Sequence, residues 1–162
     1  MPRPRVRAAT PADVPALLRL IRGLADYERA PERVVATEAD LLRDGFGPAP
    51  RFHALLAEHE GAPVGFALYS FLWSTWQGRA ALHLEDLFVE PHARGLGLGL
   101  SLLRRLARIA LDEGCTRFQW SVLDWNTPAI AFYEALGAKK LAEWIPMRIE
   151  GAQALRTLAE GQ

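Results

Sequence analysis

The stretch Leu84-Glu85-Asp86-Leu87-Phe88-Val89-Glu90-Pro91-His92-Ala93-Arg94-Gly95-Leu96-Gly97-Leu98-Gly99-Leu100 decides how this chain folds. Its first six residues close a mainly apolar run from about Ala80 to Val89 that reads as a buried strand. Pro91 ends the strand, and three alternating glycines follow. Leu102, Leu103, Leu106, Ile109 and Ala110 then recur at the spacing of one helical face, up to Gly114. Strand, glycine loop and long amphipathic helix therefore stand in that order.

Upstream, Thr10, Pro11 and Asp13 form a helix-start signal, and Val14, Leu17, Leu18, Ile21 and Leu24 carry the apolar face to about Tyr27. Thr37, Glu38 and Asp40 repeat the signal for a short helix that ends near Gly45. Phe52 to Glu58 and Val64 to Phe71 read as a hairpin of buried strands about a Glu-Gly turn. Downstream, Thr116 to Leu123 reads as a strand, Asn126-Thr127-Pro128 caps a helix that Gly137 closes, and a last strand is expected between Lys140 and Ile149. The expected class is α/β, with a mixed sheet flanked by helices on both faces, in one domain spanning residues 1–162.

A chain of 162 residues, half of them apolar and with acids and bases in balance, has room for one hydrophobic core. Zero net charge and the lack of a like-charge run argue against nucleic acid or an anionic membrane as partner, since both demand a basic field. A small-molecule ligand fits better. Basic residues near the N-terminus lead into no apolar stretch, so a cytoplasmic location is expected. Cys115, the single cysteine, is expected as a small buried hydrophobe. His53, His59, His83 and His92 show no metal-ligand spacing, and no metal is expected.

Two local features carry chemistry. Glycines before a helix expose backbone N–H groups that approach an anion, with the helix N-terminus adding partial positive charge; tight helix packing is the alternative use of such a loop. The ending is not the Gly-Lys-Ser/Thr of a nucleotide-binding P-loop. In the strand before it, Glu85 and Asp86 are expected on opposite faces, so one of them enters any given cleft. His83 shares a strand face with Glu85, as a cleft-wall or core residue.

Arg94-Gly95-Leu96-Gly97-Leu98-Gly99 matches the Arg/Gln-x-x-Gly-x-Gly/Ala signature, and the chain thereby resembles the GCN5-related N-acetyltransferase (GNAT) superfamily. The likeness extends to its spermidine/spermine (diamine) branch through Arg7-Ala8-Ala9-Thr10, Ala25-Asp26-Tyr27-Glu28, Leu42-Arg43-Asp44-Gly45-Phe46-Gly47, Val64-Gly65-Phe66-Ala67, Leu84-Glu85-Asp86-Leu87-Phe88-Val89, Trp125-Asn126-Thr127-Pro128 and Phe132-Tyr133. The resemblance implies the GNAT fold, with a mostly antiparallel central sheet, and acetyl coenzyme A as cosubstrate. It implies Glu85 as the base, Tyr133 as the acid that protonates the departing thiolate, and coenzyme contacts from Leu87, Phe88, Val89, Arg94, Gly95, Leu96, Gly97, Leu98, Gly99, Leu100, Asn126 and Tyr133. These roles suit the reaction: an alkylamine, with a pKa of about 10.4, must lose a proton before it attacks a thioester.

At the amine end, the resemblance implies contacts from Tyr27, Glu28 and Trp76, with Glu85 and Glu143 adding acidic character. The polyamine pattern has an acid where this chain has Ser74, which leaves room for a diamine or a lysine-like amino acid such as thialysine. The function expected is acetyl transfer to a primary amine of a small molecule by direct attack in a ternary complex, in a homodimer. A noncatalytic acyl coenzyme A-binding module and a protein N-acetyltransferase are the alternatives.

Overall fold

The computed structural model describes residues 4–161. Contacts divide the chain into two units, Met1–Ser121 and Val122–Gln162. In the first unit the order is β1 (Arg5–Ala8), α1 (Val14–Tyr27), α2 (Glu38–Phe46), β2 (His53–His59), β3 (Ala62–Ser74), β4 (Arg79–Val89), α3 (Leu98–Asp112) and β5 (Phe118–Gln119). The strands form one sheet in sequence order; the first four are antiparallel to their neighbours and β5 pairs parallel to β4. The mixed, mostly antiparallel sheet matches the expectation.

Strand alternation feeds two cores. Ala54, Leu56, Phe66 and Phe88 pack with Val14, Leu17, Leu18, Leu20, Leu24 and Leu41 of α1 and α2 on one face. Leu55 and Ala67, the intervening positions of β2 and β3, are buried on the other face. There α3 lies across β1 to β4 with Leu98, Leu102, Leu103, Leu106 and Ala110 buried. Helices thus cover both faces. Burying these side chains supplies most of the stability, at roughly 1.5–3 kcal/mol for each large aliphatic group.

Helix starts use the groups the sequence advertises. Thr37 and Asp40 form a reciprocal capping box for α2, with Thr37 N donating to Asp40 Oδ2 at 2.9 Å and Asp40 N donating to Thr37 Oγ1 at 3.2 Å. Ahead of α1, the Thr10 amide donates to Asp13 Oδ2 at 2.8 Å. Arg7 donates to the same carboxylate at 2.7 Å and to Glu58 at 2.8 Å, joining β1 and β2 to the helix start. This pairing holds the Asp13 carboxyl far below the usual carboxylate range.

Two expectations are corrected. Of the strand expected from Thr116 to Leu123, only Phe118 and Gln119 join the ladder. The strand expected between Lys140 and Ile149 is absent: residues 140–149 lie outside helix and strand, and the second unit instead holds α4 (Thr127–Ala135) and α5 (Ala152–Glu160). Apolar alternation at Ile145, Met147 and Ile149 mimics a strand, but alternation supplies no hydrogen-bonding neighbour, and Pro146 removes a donor.

Candidate active site

In β4 the pairing register skips one residue. Leu68 of β3 faces Asp86 and Tyr69 faces Leu84, so Glu85 is the extra residue of a β-bulge. The bulge reverses the alternation. Beyond it, Asp86 and Phe88 share the α1 face with Leu68 and Phe66; before it, Leu84 and Leu82 belong with Tyr69 on the α3 face. The expectation that Glu85 and Asp86 point to opposite faces is therefore corrected, because a bulge suspends the period of two on which it rested. Both acids stand in one electrostatic neighbourhood.

That neighbourhood is acidic. His83 Nε2 lies 3.1 Å from Glu85 Oε2. Burial pushes the Asp86 carboxyl up to about 6, with the charges of Glu85 and Glu28 adding to the rise and His83 opposing it. Glu28, just past the C-terminus of α1, is also raised by burial. Glu85 itself is 63% exposed along its side chain, while His83 is 27% exposed. A carboxylate accessible from solvent, on a bulge and beside an imidazole, is suited to taking a proton from a small molecule.

Beyond the bulge β4 has an open edge. The parallel ladder to β5 contains Leu82 with Phe118 and His83 with Gln119, and it goes no further among the described residues. On the other side, Glu90 N donates to Val64 O at 2.8 Å, which sets the alternation of backbone groups along β3 and β4. Leu87 and Val89 thus turn their N–H and C=O groups toward the open edge. Phe88 directs its backbone toward β3 and buries its ring on the α1 face.

The glycine loop follows directly. Gly95 and Gly97 adopt φ of +80° and +76°, a region that disfavours side chains, and Gly97 caps the start of α3. A Cβ at Gly95, Gly97 or Gly99 would meet nothing within 4 Å, so helix packing does not require these glycines. The surface is bare backbone in front of the first turn of a 15-residue helix, where N–H groups lack intrahelical partners. Such a cradle, beside an open strand edge, fits a pyrophosphate with an amide-containing arm. Leu96 and Leu100 flank it, and Leu98 turns inward as part of the α3 core.

Arg94 ties this loop to α1. Its Nε donates to Val89 O at 2.9 Å, and its guanidinium lies 5.0 Å from the Tyr27 ring centroid and 5.7 Å from that of Phe88. Tyr27 and Glu28 therefore stand near both the acid cluster and the loop. Trp76, 86% exposed in the turn between β3 and β4, stands about 17 Å along the sheet from the bulge at ordinary strand rise. Nearby, Ser74 Oγ accepts hydrogen bonds from Arg117 Nη1 and the Gln77 amide, each at 3.2 Å.

In the second unit, Asn126 is the N-cap residue of α4, and its carbonyl accepts from Ile130 N at 3.1 Å. Tyr133 lies two turns on, its ring 5.5 Å from that of Phe132, and burial pushes its hydroxyl above the ordinary tyrosine range. A phenol so shifted holds its proton as an acid must. Glu143 lies in the irregular, exposed segment before α5. Sequence reasoning placed His83 on the strand face of Glu85, where the two side chains meet, but missed the desolvation of Asp86 and the contacts that the Arg94 and Arg117 side chains make. A break in the apolar phase after Leu84 was the available sign of the bulge.

Residues 17–138 match the model of the acetyltransferase (GNAT) family. The chain is 44% identical over 165 residues to the thialysine N-epsilon-acetyltransferase of Sus scrofa, covering 95% of this chain and 96% of that protein. It is 40% identical over 145 residues to the human spermidine/spermine N(1)-acetyltransferase-like protein 1, covering 85% of this chain and 21% of that protein. Among solved structures, an integron cassette protein from the mobile metagenome of V. cholerae superposes with a TM-score of 0.82 at 27% identity, covering 99% of each chain. With the family model spanning the acid cluster, the open edge, the glycine loop and α4, the chain belongs to the acetyltransferase (GNAT) family and is an acyltransferase.

Proposed function

We propose that this enzyme transfers an acetyl group from acetyl coenzyme A to the side-chain amine of a lysine-like amino acid, by direct attack in a ternary complex. The observation that carries the proposal is one continuous stretch, residues 83–100. It holds an accessible carboxylate, then an open strand edge, then a bare-backbone cradle. Acetyl coenzyme A, when bound, supplies the acyl group as a thioester. In this reading Gly95 to Leu100 hold the pyrophosphate, the backbone of Leu87 and Val89 holds the pantetheine arm, and Asn126 adds a further contact.

Glu85 accepts a proton from the substrate ammonium, through water, and leaves a lone pair on nitrogen for the acyl carbon. A C–N bond forms as the C–S bond breaks. Tyr133 donates its hydroxyl proton to the departing sulfur and recovers one from the new amide nitrogen; Glu85 returns its proton to solvent. Tyr27, with its aromatic face, and Glu28 receive the cationic amine end, whereas Trp76, about 17 Å along the sheet from the bulge, lies beyond the reach of a lysine-length substrate. The enzyme acts as a single GNAT domain in a cytoplasmic homodimer.

Two facts favour an amino acid over a long polycation. Ser74 stands where the polyamine pattern has an acid, and its hydroxyl is engaged by the cationic Arg117. The relative that matches over nearly its whole length is named for thialysine. The test is free-thiol release from acetyl coenzyme A over thialysine, lysine, ornithine, putrescine, spermidine and spermine. Fastest turnover on thialysine or lysine is expected. Preference for spermine would overturn the amino-acid assignment, and no turnover with coenzyme still bound would favour a binding module or a protein substrate.

A further inference from the structure

Glu85 is a long side chain on the extra residue of a bulge, exposed over much of its length and beside the like charge of Asp86. Left to itself such a carboxylate samples several rotamers, and repulsion from its neighbour drives it outward into solvent. One contact opposes this. His83, two residues earlier on β4 and paired in the backbone ladder with Gln119, brings Nε2 within 3.1 Å of Glu85 Oε2.

The other ring nitrogen settles the direction of that bond. His83 Nδ1 is buried and has no hydrogen-bond partner. A hydrogen on Nδ1 would be buried without an acceptor, whereas a bare Nδ1 leaves only a lone pair unsatisfied. The ring hydrogen therefore belongs on Nε2, where it is donated to Glu85. The backbone that carries the imidazole is held by the β4–β5 pairing, and the side chain is only 27% exposed, so it is a firmer anchor than a surface side chain.

We propose that His83 is a positioning residue for the base, fixing the Glu85 carboxylate over the reacting amine through its Nε2–H. The inference rests on the assignment of Glu85 as base. It adds a requirement that this assignment does not contain: catalysis depends on a donor at position 83, with no contact between His83 and the substrate.

The experiment is a double-mutant cycle on His83→Phe and Glu85→Gln, with His83→Gln as a conservative variant whose amide N–H reaches a similar place. Steady-state kinetics with thialysine and acetyl coenzyme A are read beside coenzyme affinity, which reports that each variant is folded. His83→Phe is expected to lower kcat roughly tenfold with the amine KM within about twofold, a modest share of the roughly 100-fold that a displacement of about 1 Å can cost. His83→Gln should recover most of the loss. In the Glu85→Gln background, His83→Phe should have no further effect, because there is no base left to position. If His83→Phe leaves kcat unchanged, or lowers it equally with and without Glu85, the positioning role is overturned while the base stands. If Glu85→Gln alone keeps full turnover, the base assignment fails and the positioning role falls with it.

Discussion

The guanidinium of Arg94 lies 5.0 Å over the ring of Tyr27 while its Nε donates to the carbonyl of Val89. The signature arginine of the loop thus links three elements: the end of α1, the end of β4 and the turn that leads into α3. Arg94→Ala should lower stability by about 1–2 kcal/mol, from the loss of the cation–π contacts with Tyr27 and Phe88 and of one exposed hydrogen bond. Arg94→Lys should recover less than half, since an ammonium cannot stack and donate from a planar fork. Urea unfolding followed by circular dichroism measures both.

Gly99 separates stability from coenzyme binding. It is helical, and a Cβ there would meet nothing within 4 Å. Gly99→Ala should therefore stabilise the protein by about 0.5–1 kcal/mol through helix propensity. If the loop cradles the pyrophosphate, the same methyl group stands in the approach, and the Kd for coenzyme A should rise at least about tenfold, or about 1.4 kcal/mol. Calorimetric titration and thermal unfolding of the same sample report the two effects with opposite sign.

Asp86 sets a pH dependence. In the folded protein its carboxyl titrates near 6, against an ordinary value of 3.8. Between these values the native state binds more protons than the unfolded chain, so this group makes stability fall as pH rises through the window. The full effect above pH 6 is about 3 kcal/mol. Asp86→Asn should be more stable than the parent at pH 7.5 by up to that amount, and the advantage should shrink to near zero at pH 4. Asp13 slopes the opposite way at more acidic pH, because Arg7 depresses its carboxyl. The difference between variant and parent isolates Asp86.

Tyr133 acts, in the proposed chemistry, after the nucleophile has been generated. Tyr133→Phe should reduce kcat by about 100-fold, within the range ascribed to general acid catalysis, with coenzyme affinity changed less than about threefold. Because burial raises the tyrosine hydroxyl, the parent rate should show no descending limb attributable to this group below pH 10. Stopped-flow measurement of thiol release across pH 6 to about 9.5 checks both statements.

The fold was legible wherever periodicity and punctuation agreed. α1, α2, α3 and α4 follow their caps and apolar stripes, and the hairpin of β2 and β3 follows its Glu60-Gly61 turn. β1 was not legible. Its four residues carry two arginines, and what makes them a strand is pairing with β2 and the binding of Arg7 by Glu58, 51 residues away, both of them long-range facts. The site divides in the same way. Glycine spacing and the pair of acids are local patterns, while the bulge that gathers the acids is a property of two strands together. The position of Arg117 at Ser74 likewise joins residues 43 apart in sequence.

The bulge at Glu85 makes β4 a strand whose length matters more than its composition. Its first half is fastened into the core beneath α3 and its second half into the core beneath α1, with the acid at the changeover. Replacing one apolar side chain along it disturbs a single core. Removing or inserting one residue would instead turn a whole half inside out, sending leucines to the wrong layer and the acids with them. The strand can therefore drift by substitution while its residue count stays pinned. That pinning holds the acid the same number of residues from the glycine turn that begins ten positions later at Gly95.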